Sequence, residues 1–410
     1  MRRAAVALVS LAGLASCAPL HADFVCTDDA SCVSASGAQG TCEANHRCSL
    51  LDSTCPSGHR YADASGSLSN QCTTGAACIA ALRAGARTTC ALKTDGSVWC
   101  WGAGTRTPAS LALPAGDVAQ IELGGDGICA RYAGGDVYCA PDPHQPMAKV
   151  PDVAALQLSV GGGHACAVTT DQHVKCWGMN GSGELGDGTR VMSTTAVTVA
   201  QLAGVRQVAA GVASTCVITD AGAVWCWGND DKCQLGRGID FPPSDPTLPL
   251  KVDDDHLIAS SVTVADQFAC ALTTGGAVMC WGGNSLGQLG DRSPGGSSDT
   301  PNRIPSLTGV TQLSAGGSHA CAVVAGGATC WGKNDVHQTA STAVASVPAP
   351  SPVAVPAPLE LQDVASGTDH TCGLARDGAV ICWGDNTSGE IGDGTVMQAV
   401  QPTRAMLACP

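Results

Sequence analysis

The residues with the clearest capacity for chemistry are the cysteines, of which the chain of 410 residues has 24. Fourteen of them form seven pairs with one spacing, nine or ten residues apart around a turn sequence such as Thr94-Asp95-Gly96. A three-residue hairpin loop there sets the two cysteines opposite each other on neighbouring strands, within disulfide range. The chemistry we expect is therefore oxidation to structural disulfides. The pairs are Cys90–Cys100, Cys129–Cys139, Cys166–Cys176, Cys216–Cys226, Cys270–Cys280, Cys321–Cys330 and Cys372–Cys382.

The hairpins belong to a longer repeat. Their first cysteines lie 37 to 54 residues apart, the period of a four-stranded propeller blade with its loops. Six copies continue with Trp-Gly, and several then run to a turn such as Asn180 to Gly186. Side chains alternate along a strand, so the tryptophan lies on the face opposite the cysteine and is expected to pack between blades. The sequence predicts an all-β fold.

This pattern is similar to the regulator-of-chromosome-condensation repeat family, on residues 78–410. The resemblance implies a seven-bladed β-propeller with four antiparallel strands in each blade. Copy two departs from it, since Ala140-Pro141 replaces Trp-Gly, and copies one and two lack the later turn. We therefore expect the first two blades to be short and irregular.

The amino terminus has the pattern of an export signal. Arg2 and Arg3 precede an apolar run from Ala4 to Leu14, which is too short to span a bilayer permanently. The following Leu14-Ala15-Ser16-Cys17 resembles the bacterial lipobox. The resemblance implies a signal peptide over 1–16, a lipidated Cys17 and a tether over 17–25, with the protein anchored extracytoplasmically to the outer membrane or cell surface. Ordinary secretion, with Cys17 removed, is the alternative.

A small disulfide-rich module is expected over 26–72, a segment with too few apolar residues for a core of its own. The spacing looks like cysteine-rich stalks of predatory soil bacteria, and the disulfide connectivity stays open. A zinc site formed by Cys42, His46, Cys48 and His59 is the competing interpretation. The module's cysteines are Cys26, Cys32, Cys42, Cys48, Cys55 and Cys72.

Three cysteines remain. A strand at 80–83 opens blade one, and 403–407 matches the strand that ends each other repeat, so ring closure would bring Cys78 and Cys409 together. We predict a Cys78–Cys409 disulfide that clasps the ring. Cys233 replaces a turn glycine and is the candidate for a free thiol.

Other residues offer little chemistry. His164, His319 and His370 each precede a blade's first cysteine by two positions, where we expect a repeated structural hydrogen bond. Asp253 to His256 reads as a solvated acidic loop, and Gly-Asp-Gly-Thr at 186–189 and 392–395 as turns. Tyr61, Tyr132 and Tyr138 do not supply a sialidase nucleophile with its arginine cluster. We expect no enzyme activity, cofactor or metal.

Charge and loops indicate the kind of partner. The formal net charge is −14, with only 21 Lys and Arg, so nucleic acid is excluded as a ligand. We expect a monomer that binds a protein through the long segments 238–256, 291–309 and 339–359. The alternatives are a secreted inhibitor similar to the propeller-type β-lactamase inhibitory protein and, less favoured, a propeller hydrolase.

Overall fold

The computed structural model describes residues 41–42, 48–51, 59–61, 78–238, 245–252, 257–292, 295–341, 349–356 and 360–407. The chain divides into an amino-terminal unit, Met1–Gly75, and a larger unit, Ala76–Pro410. Within the described ranges, no helix has the length and apolar character needed to cross a bilayer.

The amino-terminal unit contains a small antiparallel sheet. Its three strands follow one another in the order of the chain. They are β1 (Thr41–Cys42), β2 (Cys48–Leu51) and β3 (His59–Tyr61). The expected disulfides of the 26–72 module, its alternative zinc site, the signal over 1–16, the tether over 17–25 and Cys17 all lie outside the described side chains.

The larger unit is a seven-bladed propeller in which each blade is an antiparallel sheet of four strands taken consecutively from the chain. The first strand of each blade lines the centre, and the ring closes because β28 and β29 of the last blade contact β4 of the first. Blades one to three contain β4 (Ile79–Ala84), β5 (Thr88–Lys93), β6 (Val98–Gly102), β7 (Thr105–Ser110); β8 (Val118–Gly124), β9 (Gly127–Tyr132), β10 (Val137–Ala140), β11 (Ala148–Lys149); and β12 (Ala155–Val160), β13 (His164–Thr169), β14 (Val174–Gly178), β15 (Ser193–Thr198).

Blades four to seven repeat this order, with an outer strand of variable length. They contain β16 (Val205–Ala210), β17 (Ser214–Thr219), β18 (Val224–Gly228), β19 (Leu250–Lys251); β20 (Ala259–Val264), β21 (Phe268–Thr273), β22 (Val278–Gly283), β23 (Ser297–Arg303); β24 (Val310–Ala315), β25 (His319–Val324), β26 (Gly327–Gly332), β27 (Ala349–Ala354); and β28 (Leu361–Ser366), β29 (His370–Ala375), β30 (Val380–Gly384), β31 (Ala399–Arg404).

The hairpin between the second and third strands has the register that the cysteine spacing indicates. Cys90 lies opposite Cys100, and Lys93 and Ser97 close the loop with a 2.8 Å backbone hydrogen bond. The third loop residue is left-handed, which Gly96 adopts freely and Gln172 also adopts, with φ of 60°. Each of the seven expected pairs is joined by a disulfide. The cysteine spacing therefore encodes the hairpin geometry.

The core lies between blades rather than inside them. The described residues form seven apolar clusters, each shared by two neighbouring blades. Trp281 of blade five, for example, packs against Leu235 and Cys226 of blade four. The repeated tryptophans are buried, as packing residues should be, and the ring holds together by blade-to-blade contact.

Three details differ from the sequence-based expectations. Of the first two blades, only blade two is short. Blade one is regular, because the missing turn shortens only the connection at Ala103-Gly104 and leaves a six-residue β7. The last strand ends at Arg404 rather than continuing to residue 407. The Pro-rich segment, expected as a loop, contains β27, since an outer edge strand tolerates proline.

Candidate functional site

The three repeated histidines lie at blade boundaries, where each contacts a threonine of the next blade. His319 Nε2 is 2.8 Å from Thr371 Oγ1, which donates a 3.0 Å hydrogen bond to the carbonyl of Gln338. The indole of Trp383 donates to the same carbonyl at 2.9 Å. The role is structural, as expected, and the same arrangement recurs twice. The other two sets are His164, Thr215, Glu184 and Trp227, and His370, Thr89, Glu390 and Trp101.

These hydrogen bonds fix the tautomer of each histidine. The threonine's one proton goes to the carbonyl, so its oxygen accepts from Nε2–H of the ring. The other nitrogen, Nδ1, is buried and has no hydrogen-bond partner within the described structure in His164, His319 or His370. Burial lowers the pKa of His164 and His370 to about 4 and that of His319 to about 3, where the neighbouring His370 and Lys333 add to the effect. The rings are neutral near pH 7.

Histidine and threonine occur together across blade boundaries. Where a blade has the histidine, the next blade has the threonine; where it does not, the next blade has an apolar residue. At the four boundaries without histidine, the two positions are occupied by Thr88 and Ile128, Gly127 and Ala165, Ser214 and Ala269, and Phe268 and Ala320. The buried Nε2–H of the histidine needs an acceptor, so a histidine at one position favours a threonine at the other.

The central channel has a cavity volume of about 680 Å³ and is lined by the first strands of all seven blades. Glutamines on these strands bond through their side-chain amides to the backbone of the next blade, both donating and accepting, as the backbone of a neighbouring strand would. The amide of Gln157 donates to the carbonyl of Val208 at 3.1 Å and accepts from the same residue's N–H at 2.8 Å. Gln120 and Gln207 make the equivalent pairs with Leu158 and Val262. These three amides are therefore satisfied by the backbone of the neighbouring blade.

Charged residues cluster on the first strands around blade one. Arg83 contacts Glu122 of blade two at 2.9 Å and Asp363 of blade seven at 3.8 Å. Attraction to Glu122 raises the pKa of Arg83, while burial raises the pKa of the Asp363 carboxyl. The cluster links the first blade to both of its neighbours across the channel.

One end of the ring is a loop face. It is formed by the loops between the first and second strands of each blade, which bond to one another, as Ala86 N–H does to Gly125 O at 2.7 Å. In six blades the segment after the third strand bonds to the same loops, as Met179 N–H does to Gly163 O. The segments 238–256, 291–309 and 339–359 start seven to ten residues after the third strands of their blades, and they contain β19, β23 and β27.

Two large apolar side chains are exposed on the loop face at the boundary of blades three and four. Met179 is 63% exposed and Val212 is 49% exposed. They rest against adjacent glycines of one loop, Met179 over Gly163 and Val212 over Gly162. Exposed apolar surface of this kind is typical of protein contacts.

The remaining candidate residues are not brought into a reactive group. Cys233 is the one free cysteine of the described residues, partly exposed, with Sγ 3.5 Å from Ser297 Oγ. Cys78 is disulfide-bonded, but Cys409 lies outside the described residues, so the clasp stays a prediction. Asp187 and Asp393 hold their turns through Thr189 and Thr395.

No metal or nucleophile site emerges from the described part of the chain. It contains no group of three or more His, Cys, Asp or Glu side chains placed to hold a metal ion. Asp253 to His256 and Tyr61's side chain lie outside it. Tyr132 packs edge-on against Tyr138, with ring centroids 5.1 Å apart, and donates to Pro114 O. These two tyrosines are packing residues of blade two.

Comparison with known families identifies the repeat. The model of the regulator of chromosome condensation (RCC1) repeat matches five segments, 79–106, 156–184, 205–234, 260–288 and 362–390, and a second model of the same repeat matches 275–323. The chain is 30% identical over 261 residues to mouse E3 ubiquitin-protein ligase HERC2, covering 62% of this chain and 5% of HERC2. It is 31% identical over 156 residues to the ultraviolet-B receptor UVR8 of Arabidopsis thaliana, 37% of this chain and 35% of that one.

Solved structures agree on the fold. Human WBSCR16 superposes with a TM-score of 0.65 at 19% identity, over 74% of this chain and 85% of WBSCR16. Yeast RCC1 (Prp20), solved with Kap60, superposes with a TM-score of 0.59 at 20% identity, over 80% and 75% of the two chains. The match to HERC2 spans only a small part of that protein's length, so the ligase activity does not follow from it.

Proposed function

The chain is a seven-bladed propeller that carries regulator-of-chromosome-condensation repeats, and on this basis we propose that it is a protein-binding scaffold without catalytic activity. We propose further that it acts outside the cytoplasm, anchored by lipid on Cys17. The exposed Met179 and Val212 on the loop face are the observation that carries the binding role. Propellers of this fold bind proteins elsewhere, since yeast Prp20p binds Gsp1p and histones. The fold supplies a rigid ring, and its loops supply the contact surface.

Several features support a site for a protein rather than a small molecule. Three channel glutamines, Gln120, Gln157 and Gln207, already bond to the neighbouring blade, so these amides are not offered to a small ligand. The loop face instead combines exposed apolar side chains with charged pairs at blade boundaries, such as Arg87 with Asp126 at 2.8 Å. An apolar centre with a polar surround is the usual composition of a protein interface.

The binding role is tested by substitution on opposite faces. We expect Val212→Glu to reduce capture of the partner from envelope extracts by at least tenfold, because it places a charge in an apolar contact. Ile258→Glu is the matched control, since Ile258 is also exposed, at 52%, but lies beside the hairpins on the opposite face. If both variants lost capture equally, or if neither variant lost it, a binding site on the loop face would be contradicted.

The anchor is tested separately. The export pattern and seven oxidised cysteine pairs are consistent with an oxidising compartment outside the cytoplasm. Lipid chains on Cys17 would hold the protein at the membrane, since each buried methylene contributes about 0.8 kcal/mol. We expect Cys17→Ala to release the protein from the membrane fraction without changing its unfolding temperature. Undiminished membrane association of this variant would exclude the anchor.

A further inference from the structure

The outer rim of blade three differs from the rims of the other blades. An outer strand presents backbone groups on which another strand can pair, and proteins commonly block such edges with proline or charge. Of the seven outer strands, β15 alone has neither. The others carry Arg106 and Pro108 in β7, Lys149 in β11, Lys251 in β19, Asp299, Pro301 and Arg303 in β23, Pro350 and Pro352 in β27, and Pro402 and Arg404 in β31.

The missing proline is a departure from the repeat itself. In five blades, proline immediately precedes the residue opposite the blade's second cysteine. Ala196 has that position in β15 and Met147 has it beside the two-residue β11. The five prolines are Pro108, Pro249, Pro301, Pro352 and Pro402. The fold therefore accepts a proline at 196, and its absence restores a backbone N–H to the rim.

The geometry of β15 turns this part of the backbone outward. Ser193 lies opposite Gly178 and Val197 opposite Cys176, so the ladder with β14 skips Thr194 to Ala196. The hydroxyl of Ser193 bonds to the backbone of Thr195. Thr194 is exposed and Ala196 is half-exposed. These two positions form the outer edge.

We propose that β15 pairs with β15 of a second copy of this chain, antiparallel about a twofold axis, to form a weak dimer. The residues from 191 to 200 contain no charge, although the chain has a formal net charge of −14, so two copies can meet at this rim without like charges in contact. Val191 and Met192, 71% and 64% exposed, flank the strand and add apolar surface. A twofold arrangement uses the same patch on both copies.

The size of the contact sets its strength. Six residues of strand are about 20 Å long, and two convex rims touch only along that length. Interfaces below about 1,200 Å² are generally weak or transient. The dimer therefore has a dissociation constant in the micromolar range or above and forms where the chain is concentrated.

Sedimentation equilibrium of the full-length oxidised chain, with Cys17→Ala to prevent acylation, tests the pairing over a range of concentrations. We expect a monomer–dimer equilibrium that Ala196→Pro weakens at least tenfold, because proline removes the N–H donor, while Ala196→Ser leaves it unchanged. Thr194→Lys should weaken it as well, because it adds a positive charge to the contacting rim of each copy. A chain that stays monomeric, or a dimer that Ala196→Pro leaves intact, would overturn the proposal. The oligomeric state measured here is independent of the capture experiment with Val212→Glu, so either proposal can fail without the other.

Discussion

Acidification from pH 7 to pH 5 is expected to lower the free energy of unfolding by about 6 kcal/mol through His164, His319 and His370, roughly 2 kcal/mol each. The folded-state pKa values, about 4, 3 and 4, lie below the ordinary 6.5 because the rings are buried. Between pH 6.5 and the folded-state pKa values, the three histidines bind protons in the unfolded chain but not in the folded chain. Stability is therefore complete above about pH 6.5 and is lost as the pH falls toward the folded pKa values.

The structure explains why protonation is resisted. In each case a second proton would go to Nδ1, which has no acceptor beside it in the described structure, and the charge would be buried between two blades. Burial raises the pKa of the carboxyls of Asp363 and Glu390, which works in the opposite direction on acidification. A variant comparison is therefore needed to isolate the histidines.

Chemical unfolding at a series of pH values measures the effect. His319→Gln keeps a donor for Thr371 and removes the titrating ring, so we expect it to reduce the slope of unfolding free energy against pH near pH 5 by about a third, since one of three titrating groups is lost. His173→Gln is the control, because His173 lies in a hairpin with 44% of its side chain exposed. An unchanged slope in His319→Gln would show that this ring is protonated in the folded protein.

Removal of the clasp, by Cys78→Ser with Cys409→Ser, is expected to lower the unfolding temperature by several degrees. Among the described strands, no sheet crosses the seam between blades seven and one, because each blade takes its four strands from one segment. A disulfide spanning 331 residues (409 minus 78) restricts the unfolded chain by about 5–6 kcal/mol in the chain-entropy model, an upper estimate. Cys78 and Leu407 already pack on one cluster that spans the seam, and Leu407 is two residues from Cys409.

Cys166→Ser with Cys176→Ser is the matched control. That disulfide closes a loop of about ten residues, worth roughly 2.5–3 kcal/mol in the same model, and lies within one blade. The control should lower the unfolding temperature less. Peptide mapping without reduction should recover Cys78 and Cys409 as one linked species. Recovery of Cys78 linked to a cysteine of the 26–72 module would refute the clasp.

Much of the fold follows from local sequence, because the information in a blade is local. The spacing of Cys90 and Cys100 and the left-handed residue between them determine the hairpin and its register. The recurrence of Trp-Gly indicates which face packs. The regularity of blade one could not be predicted from its missing turn, since that turn shapes a connection and not the strand that follows it.

Contacts between blades are harder to predict from the sequence, because they join residues about 50 positions apart or from opposite ends of the chain. The histidine position alone predicts a structural hydrogen bond but not its partner. The partner was nevertheless encoded: threonine follows in the next blade wherever histidine occurs, as His164 is followed by Thr215. No comparable signal marks glutamines such as Gln157, whose amide bonds to the backbone of the next blade.

The contiguity of the blades also bears on how the chain can be made. Each blade completes its hydrogen-bond ladder and its disulfide from one uninterrupted stretch, with cysteines only nine or ten residues apart. A chain that enters an oxidising compartment from its amino terminus can therefore form each disulfide soon after its two cysteines emerge, before the later cysteines arrive to compete. For a chain exported in this way, entry and blade order run in the same direction, so correct pairing is favoured by timing, and closure of the circle is left as the final step.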